Sequence, residues 1–412
     1  MEYNRNMERI KVAVIGGGAS GLMLANALQD HTGVVVFERG ERLGRKLSAT
    51  GNGQGNLTNL GVLDAEYFSV SKSEPELVKS AIKCYDDKSM TEFFRSLGVL
   101  CIADERGRVY PSGRQASALT DALRFALTRK GIGVRLETQV TALEGADGGF
   151  LLSLVSQGRT EKLFAERVVL CAGGKAAKNF GTDGSAYALA QGFGHTVSKL
   201  YPSLVQLKTD TKHTKTLKGI RVNDGVIEAK TPTRSLRVQG DIIFTDYGIS
   251  GDAVFRLSAF IADELESGKC LLSLDLLPEF SEREILALLQ AKKSAFPEMS
   301  ASELLFGVVN NQIGRAVMRR AENDIRAAAK LVKAFTLTAV GSLGFDYAQV
   351  TKGGVPLCEV TETLESRFKK GLYFAGEILD ADGQCGGFNL QWAYASARTV
   401  AAALDGKGRG QV

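Results

Sequence analysis

The sequence predicts an α/β protein whose first domain is interrupted by a small β domain and a helical segment and then resumes. Three features carry that expectation. A strand, glycine turn, helix and second strand follow one another from Lys11 to Phe37; the chain changes to short polar strands from about residue 195; and the α/β rhythm returns after a strand at Phe335 to Val340. At 412 residues the chain is longer than one hydrophobic core normally organises, so more than one domain is expected.

Lys11 to Ile15 is an apolar run that stops at three glycines, and a helical pattern through Leu22, Leu24, Ala25 and Leu28 leads to a second run, Val34 to Phe37. That is a βαβ unit. Leu77 to Leu97 and Ala118 to Arg129 read as helices, Val134 to Leu143 and Phe150 to Val155 as strands, and Arg167 to Ala172 as an apolar strand ending at Gly173. After Gly251 helices take over, since Ser281 with Glu284 and Ser300 with Glu303 both have capping-box spacing ahead of helical apolar patterns. The expected division is 1–194 with 341–412 for the α/β domain, 195–251 with 331–340 for the β domain, and 252–330 for the helical one.

With 44% hydrophobic and 24% charged residues the chain reads as globular. The polar start, Met1 to Ile10, has no apolar signal segment, and no apolar run approaches the roughly 18 residues of a membrane span, so a soluble cytoplasmic protein is expected. Six cysteines lie scattered without a CxxC pair and read as reduced, buried thiols, with no metal site. Three histidines exclude chemistry that needs several. The net charge is +5, and bases gather at Lys208, Lys212, Lys215, Lys218, Arg221, Lys230, Arg234 and Arg237. Without interleaved aromatics this stretch reads as a solvated face, with nucleic acid the minor reading.

Gly16, Gly18 and Gly21 form G-x-G-x-x-G where a strand becomes a helix. Gly16 permits the tight turn, Gly18 the approach to a pyrophosphate, and Gly21 close helix–strand packing, while the new helix aims free N–H groups and its positive dipole end at the phosphates. Glu38 closes the second strand, where a carboxylate accepts from ribose hydroxyls and repels a 2′-phosphate, which favours FAD or NAD over NADP. Two later segments decide for FAD. Gly371 to Glu377 is a strand ending in Gly376 and an acid suited to ribitol hydroxyls; Gly386-Gly387-Phe388-Asn389-Leu390 opens a helix whose N-terminus suits the N1 and C2 carbonyl edge of an isoalloxazine. Shortly after Glu38, Gly44 to Asn59 is rich in Gly and Asn; Lys46 would neutralise phosphate, and Asn52 or Asn56 could bond the ring.

Together with Gly107-Arg108-Val109-Tyr110-Pro111, Gly240 to Gly251 and Val350 to Val355, these segments resemble the bacterial three-domain NAD(P)/FAD-dependent oxidoreductase family, which includes aminoacetone oxidases and enone reductases. The resemblance implies a glutathione-reductase-like FAD-binding Rossmann domain with an inserted β-barrel domain and an inserted helical domain. It also implies a cofactor-contacting set of Gly16, Gly18, Ala19, Ser20, Gly21, Glu38, Arg39, Lys46, Asn56, Val140, Ala172, Gly173, Gly376, Glu377, Gly387, Asn389 and Leu390. Asp246 and Tyr247 are acid/base candidates beside Asn52. This chain departs from the family pattern at Gln54-Gly55, Asp246 and Asp252, so the family's substrate and any cysteine or histidine chemistry do not carry over.

The functional expectation is an FAD-dependent oxidoreductase acting on a small organic molecule, with hydride transfer at flavin N5. No second G-x-G-x-x-G follows a strand, so the other redox partner is either a transient NADH or NADPH or oxygen. A non-catalytic flavin redox sensor and flavin-dependent nucleic-acid modification stand as alternatives.

Overall fold

The computed structural model describes residues 7–71, 76–231 and 235–407. Arg234 of the basic stretch and Met1–Asn6 lie outside the described residues. The chain forms two compact units, Met1–Leu200 with Val350–Val412, and Tyr201–Gln349.

In the first unit, β1 (Arg9–Ile15) is apolar along most of its length because a parallel strand covered on both faces has no side left for water. It pairs in parallel with β2 (Val34–Phe37), Val14 facing Val36, and on its other edge with Arg159–Leu170, Ile15 facing Leu170. The sheet runs in the order Gly133–Arg135, β2, β1, Arg159–Leu170, Gly149–Ser156, Thr138–Ala146. Arg159–Leu170 changes partner halfway: Arg159 to Ala165 pairs antiparallel with Gly149–Ser156, and Val168 to Leu170 pairs parallel with Leu372–Phe374. That switch brings a strand from far along the chain into the sheet that holds β1. Helix α1 (Ala19–Ala27) then packs against the helix Phe388–Leu404.

Three expectations for this unit change in detail. Val134 to Leu143 is not one strand but two, Gly133–Arg135 and Thr138–Ala146, parted by Glu137 in the left-handed conformation at φ +48. Leu77 to Leu97 is not one helix but two, Glu76–Cys84 and Asp87–Ser96, because Asp86 caps the second by accepting from Ser89 N–H at 2.9 Å. The thiols are free, but only Cys171 and Cys270 are buried; Cys84 and Cys358 are exposed. Burial pushes the Cys171 thiol up to about 12.

The second unit holds a closed barrel in the order Leu207–Thr209, Gly248–Ser250, Ser235–Phe244, Arg221–Lys230, Cys270–Asp275, Phe335–Ser342. The stretch 252–330 is therefore not purely helical: Cys270–Asp275 is a barrel strand, with Leu272 and Leu274 inward and Leu271 58% exposed. That alternation has period two, which helical capping signals on either side obscure. Ser281 and Glu284 do close a capping box at the head of Glu282–Ala295, whereas the Ser300–Glu303 box closes only a 3₁₀ turn. Asn311–Arg320 and Ile325–Lys333 follow, and one apolar cluster joins Ile227, Leu272 and Phe335 of the barrel to Leu289, Val317 and Val332 of the helices.

A buried relay braces the strand that leads to Gly376. His195 lies between Glu359, 2.9 Å from Nδ1, and Ser366, 2.7 Å from Nε2, with Phe374 packed against its ring. The carboxylate holds the proton on Nδ1, so Nε2 accepts from the Ser366 hydroxyl. Burial lowers the His195 pKa below its ordinary 6.5, outweighing the pull of Glu359 in the other direction. The unfolded chain thus binds a proton more readily, and this contribution to stability is complete above pH 6.5 and lost as pH falls through the lowered value. His195→Phe is expected to lower stability by about 2 kcal/mol at neutral pH by leaving buried polar groups unpaired. It should also flatten the acid limb of a melting-temperature profile; an unchanged limb would count against the relay.

Candidate flavin site

The turn after β1 places Gly16 at φ +107, a region that excludes side chains, and a β-carbon there would sit 2.6 Å from Cys171 O and 2.7 Å from the Ala172 Cα. Gly21 faces inward in the same way, with a β-carbon 2.0 Å from Gly16 O. Gly18 is the opposite case. It caps α1 without any side-chain acceptor, and a β-carbon on it would meet no protein atom within 4 Å. The first N–H groups of α1 therefore open onto a face that the protein leaves clear, with no acid in the first turn to compete for them.

Glu38 stands at the end of β2 beside this turn. Its Oε2 accepts from Gly17 N–H at 3.0 Å and its Oε1 from Gly40 N–H at 2.7 Å, so two backbone donors orient the carboxylate. Thr138 N–H donates to Glu38 O at 3.0 Å, which brings the strand carrying Val140 to the end of β2; the ladder register shifts between Val140 and Ala142. Arg39 is occupied elsewhere: its guanidinium pairs with Asp183 at 2.9 Å and donates to Ser185 and Gly181 O, tying down the loop after Gly173. Burial opposes ionisation of Asp183, but Arg39 and the two Ser185 donors together bring its pKa to about 2.

The far end of the chain closes the cradle. A β-carbon on Gly376 would lie 2.7 Å from Ser20 Oγ, and Gly376 N–H donates to Ser396 Oγ at 2.9 Å, so this residue is held between α1 and the helix Phe388–Leu404. Glu377 Oε2 pairs with Lys46 Nζ at 2.8 Å and its Oε1 accepts from Thr351 N–H at 2.9 Å. Gly387 starts the last helix at φ +103 with no side-chain cap and no acid in its first turn; a β-carbon there would strike Thr58 O at 2.4 Å. Asn56, oriented to satisfy both neighbours, accepts from Gly387 N–H and donates to Thr58 O, both at 3.2 Å. Asn389 spends its amide on the loop before it, exchanging hydrogen bonds with Gly383 at 2.9 and 2.8 Å, and Leu390 packs into the core. Burial raises the Tyr67 phenol, which donates to Phe388 O at 3.0 Å.

The structure thus gathers the glycine turn, Glu38, Lys46, Asn56, Gly376, Glu377 and Gly387 within the first unit. Asn52 sits in the exposed part of the Gly44 to Asn59 loop at φ +55, between two glycines that are also left-handed. Asp246 and Tyr247 belong to the second unit. Asp246 is 62% exposed and held below the usual carboxylate range by Lys218, 2.7 Å away; the Tyr247 carbonyl accepts from Thr209 N–H. Sequence reasoning gave Thr351 no role beyond its place in the family-like segment Val350 to Val355; its hydroxyl accepts from Lys175 and Ala176 N–H at 2.7 and 2.9 Å while its own N–H holds Glu377. Nor did it give a role to Asp380, a fully buried carboxylate that accepts from Ser69, Val70 and Ser71. The paired glycines Gly353 and Gly354 after Thr351 were the available signal.

Two helices packed against each other, each starting without a side-chain cap, together with a carboxylate oriented beside the first start and a shielded lysine–glutamate pair just after Gly376, fit a flavin dinucleotide, and the class is a Rossmann-type flavoprotein oxidoreductase. The chain belongs to the HI0933-like protein Rossmann domain family, whose pattern matches residues 10–403, and thereby to a bacterial family of FAD-dependent oxidoreductases. It is 35% identical to a 3-dehydro-bile acid Δ(4,6)-reductase of Clostridium scindens, over 94% of this chain and 97% of that one. It is 28% identical to a ribosomal RNA dihydrouridine synthase of Haemophilus influenzae, over 98% and 99% of the two chains. Among solved structures, the open conformation of a flavocytochrome c3 fumarate reductase shares the fold at a TM-score of 0.53 and 14% identity, over 98% of this chain and 79% of that one.

Among the described residues no helix is long and apolar enough to cross a membrane.

Proposed function

We propose that this protein reduces a carbon–carbon double bond conjugated with a carbonyl in a small organic molecule, with a transiently bound NADH or NADPH as electron source. What carries the reading is the near full-length match to a bile acid reductase, set on a cradle whose two helix starts fit FAD. When bound, FAD supplies a hydride at N5. The balance is a hydride to the β-carbon and a proton to the α-carbon, leaving a saturated ketone and an oxidised nicotinamide.

The residues of this chain then have distinct tasks. Gly16 to Gly21 and the α1 dipole hold the pyrophosphate, Ala172, Gly173 and Val140 line the adenosine side, and Glu38 takes the ribose. Lys46 and Glu377 would hold the ribitol side, and the backbone N–H groups of Asn389 and Leu390, in the first turn of the helix that Gly387 opens, would face the ring's N1 and C2 edge. Asn52 contacts the ring from its loop. The reduction consumes one proton at the α-carbon, for which Tyr247 is the donor candidate; Asp246, next to it in the chain and paired with Lys218, is the second acid/base candidate. In this reading the first unit works as a glutathione-reductase-like FAD domain, and the barrel and helical segments are insertions into it.

Anaerobic stopped-flow with NADH and NADPH, followed by an enone steroid and then by oxygen, tests this. Fast flavin reduction by one nucleotide, fast reoxidation by the enone and slow reoxidation by oxygen are expected, with Tyr247→Phe slowing only the enone step, by roughly 10²-fold. Flavin that no nucleotide reduces would refute the reductase reading.

A second reading has one observation in its favour, the match to ribosomal RNA dihydrouridine synthase. Uracil C5=C6 is itself conjugated with a carbonyl, so the bond chemistry is the same. The basic stretch gives it little support, since Lys218, Arg221, Lys230 and Arg237 already face Asp246, Asp241, Glu228 and Asp275. It requires salt-sensitive RNA binding, which a filter assay across salt concentrations measures.

A further inference from the structure

Pro111-Ser112-Gly113-Arg114 closes a turn in which Arg114 N–H donates to Pro111 O at 2.8 Å. Arg114 takes the left-handed conformation, φ +50, although the glycine next to it does not. A side chain kept there against its backbone preference is a form of strain that gathers at binding sites. The guanidinium lies over the Tyr110 ring, 4.1 Å from its centroid, and donates to Gln54 Oε1 at 3.4 Å. Among the described residues it has no carboxylate partner, whereas Arg108, 5.9 Å from the same ring, is neutralised by Asp104 at 2.7 Å.

The position of this unneutralised cation matters. Gln54 belongs to the loop that carries Asn52. The Tyr110 strand pairs through Val109 with Thr58 and through Arg108 with Asn59, and those two residues meet the start of the last helix. Thr58 O lies against Gly387, and Asn59 Nδ2 donates to Gly386 O at 3.1 Å. Arg114 therefore stands on the isoalloxazine side of the cradle, not on the adenosine side. A planar guanidinium whose plane is set by a tyrosine face recognises a carboxylate through two parallel hydrogen bonds.

We infer that Arg114 is a specificity-determining residue that anchors a carboxylate of the substrate beside the flavin ring; this rests on the small-molecule reading above. The test uses the FAD-loaded full chain, a 3-oxo-4,6-diene steroid acid and the methyl ester of the same compound. Dissociation constants come from perturbation of the bound-flavin spectrum, and KM and kcat from NAD(P)H-driven turnover. Arg114→Met is expected to raise Kd and KM for the acid about tenfold more than for the ester. Arg114→Lys, which keeps the charge without the fork, should recover part of that difference. Added salt should shrink it.

Equal effects on acid and ester, with enone turnover intact, overturn the anchor and leave the proposed reaction standing. A variant that loses affinity for a single-stranded oligonucleotide and not for the acid also overturns it. If the wild-type protein holds FAD yet turns over neither compound, the proposed function fails and the anchor falls with it.

Discussion

Gly21→Ala is expected to purify colourless and to take up added FAD at least about tenfold more weakly than the unchanged protein, a loss of about 1.4 kcal/mol or more. The new β-carbon would stand 2.0 Å from Gly16 O, a backbone atom that no rotamer change can move aside. Relief requires α1 to shift away from the turn, which costs on the order of 1–3 kcal/mol of overpacking and displaces the N–H groups proposed to hold the pyrophosphate. The melting temperature of the apoprotein should fall as well. Gly18→Ala separates the two effects, because a β-carbon there meets no protein atom within 4 Å. That variant should melt like the wild type and still bind FAD more weakly. A Gly18→Ala protein as yellow as the wild type would mean that no phosphate sits over the start of α1.

The second large effect is expected at Glu377. Its pair with Lys46 is mostly shielded, with 20% and 23% of the two side chains exposed, so each charge leans on the other more than an open surface pair would. Removing one partner of a fully buried pair costs about 3–5 kcal/mol, and the remaining exposure brings the expectation here to about 1–2 kcal/mol. Glu377→Gln retains an oxygen for Thr351 N–H but leaves Lys46 without its carboxylate. Lys46→Met does the reverse. Measured by denaturant melts of the apoprotein, the double variant should cost clearly less than the two single changes added together. Additive losses would show that the two charges are not coupled. In FAD titrations both single variants should bind the cofactor less tightly, since the pair joins the Gly44 to Asn59 loop to the segment that follows strand Leu372–Phe374 and holds Gly376.

How much of this was legible in the residues differs from place to place. The glycine turn could be read because each of its three positions answers a local demand that only glycine meets, and Glu38 because the length of a βαβ unit places it. The cap at Ser281 was legible for the same reason: its partner is three residues away. The barrel strand Cys270–Asp275 was hidden among helical signals, since what makes it a strand is pairing with Arg221–Lys230 and Phe335–Ser342. The roles of Thr351 and Asp380 escaped notice because their partners lie far along the chain, at Lys175 and Ser69. Arg39 entered the cofactor set through the family resemblance, and the pairing of its guanidinium with Asp183, 144 positions along the chain, was not legible from the residues around it.

From the sequence alone came the expected kind of ligand, a dinucleotide, read from a glycine turn suited to phosphates and a carboxylate suited to a ribose, both set by local spacings. Tertiary structure alone decided how the later half of the site joins the first, through the change of partner along Arg159–Leu170 and the contact of Gly376 with Ser20. The physical reason is range. Turn geometry, caps and periodicity are settled between near neighbours, whereas strand register and the pairing of Lys46 with Glu377 depend on which distant segments the core brings together.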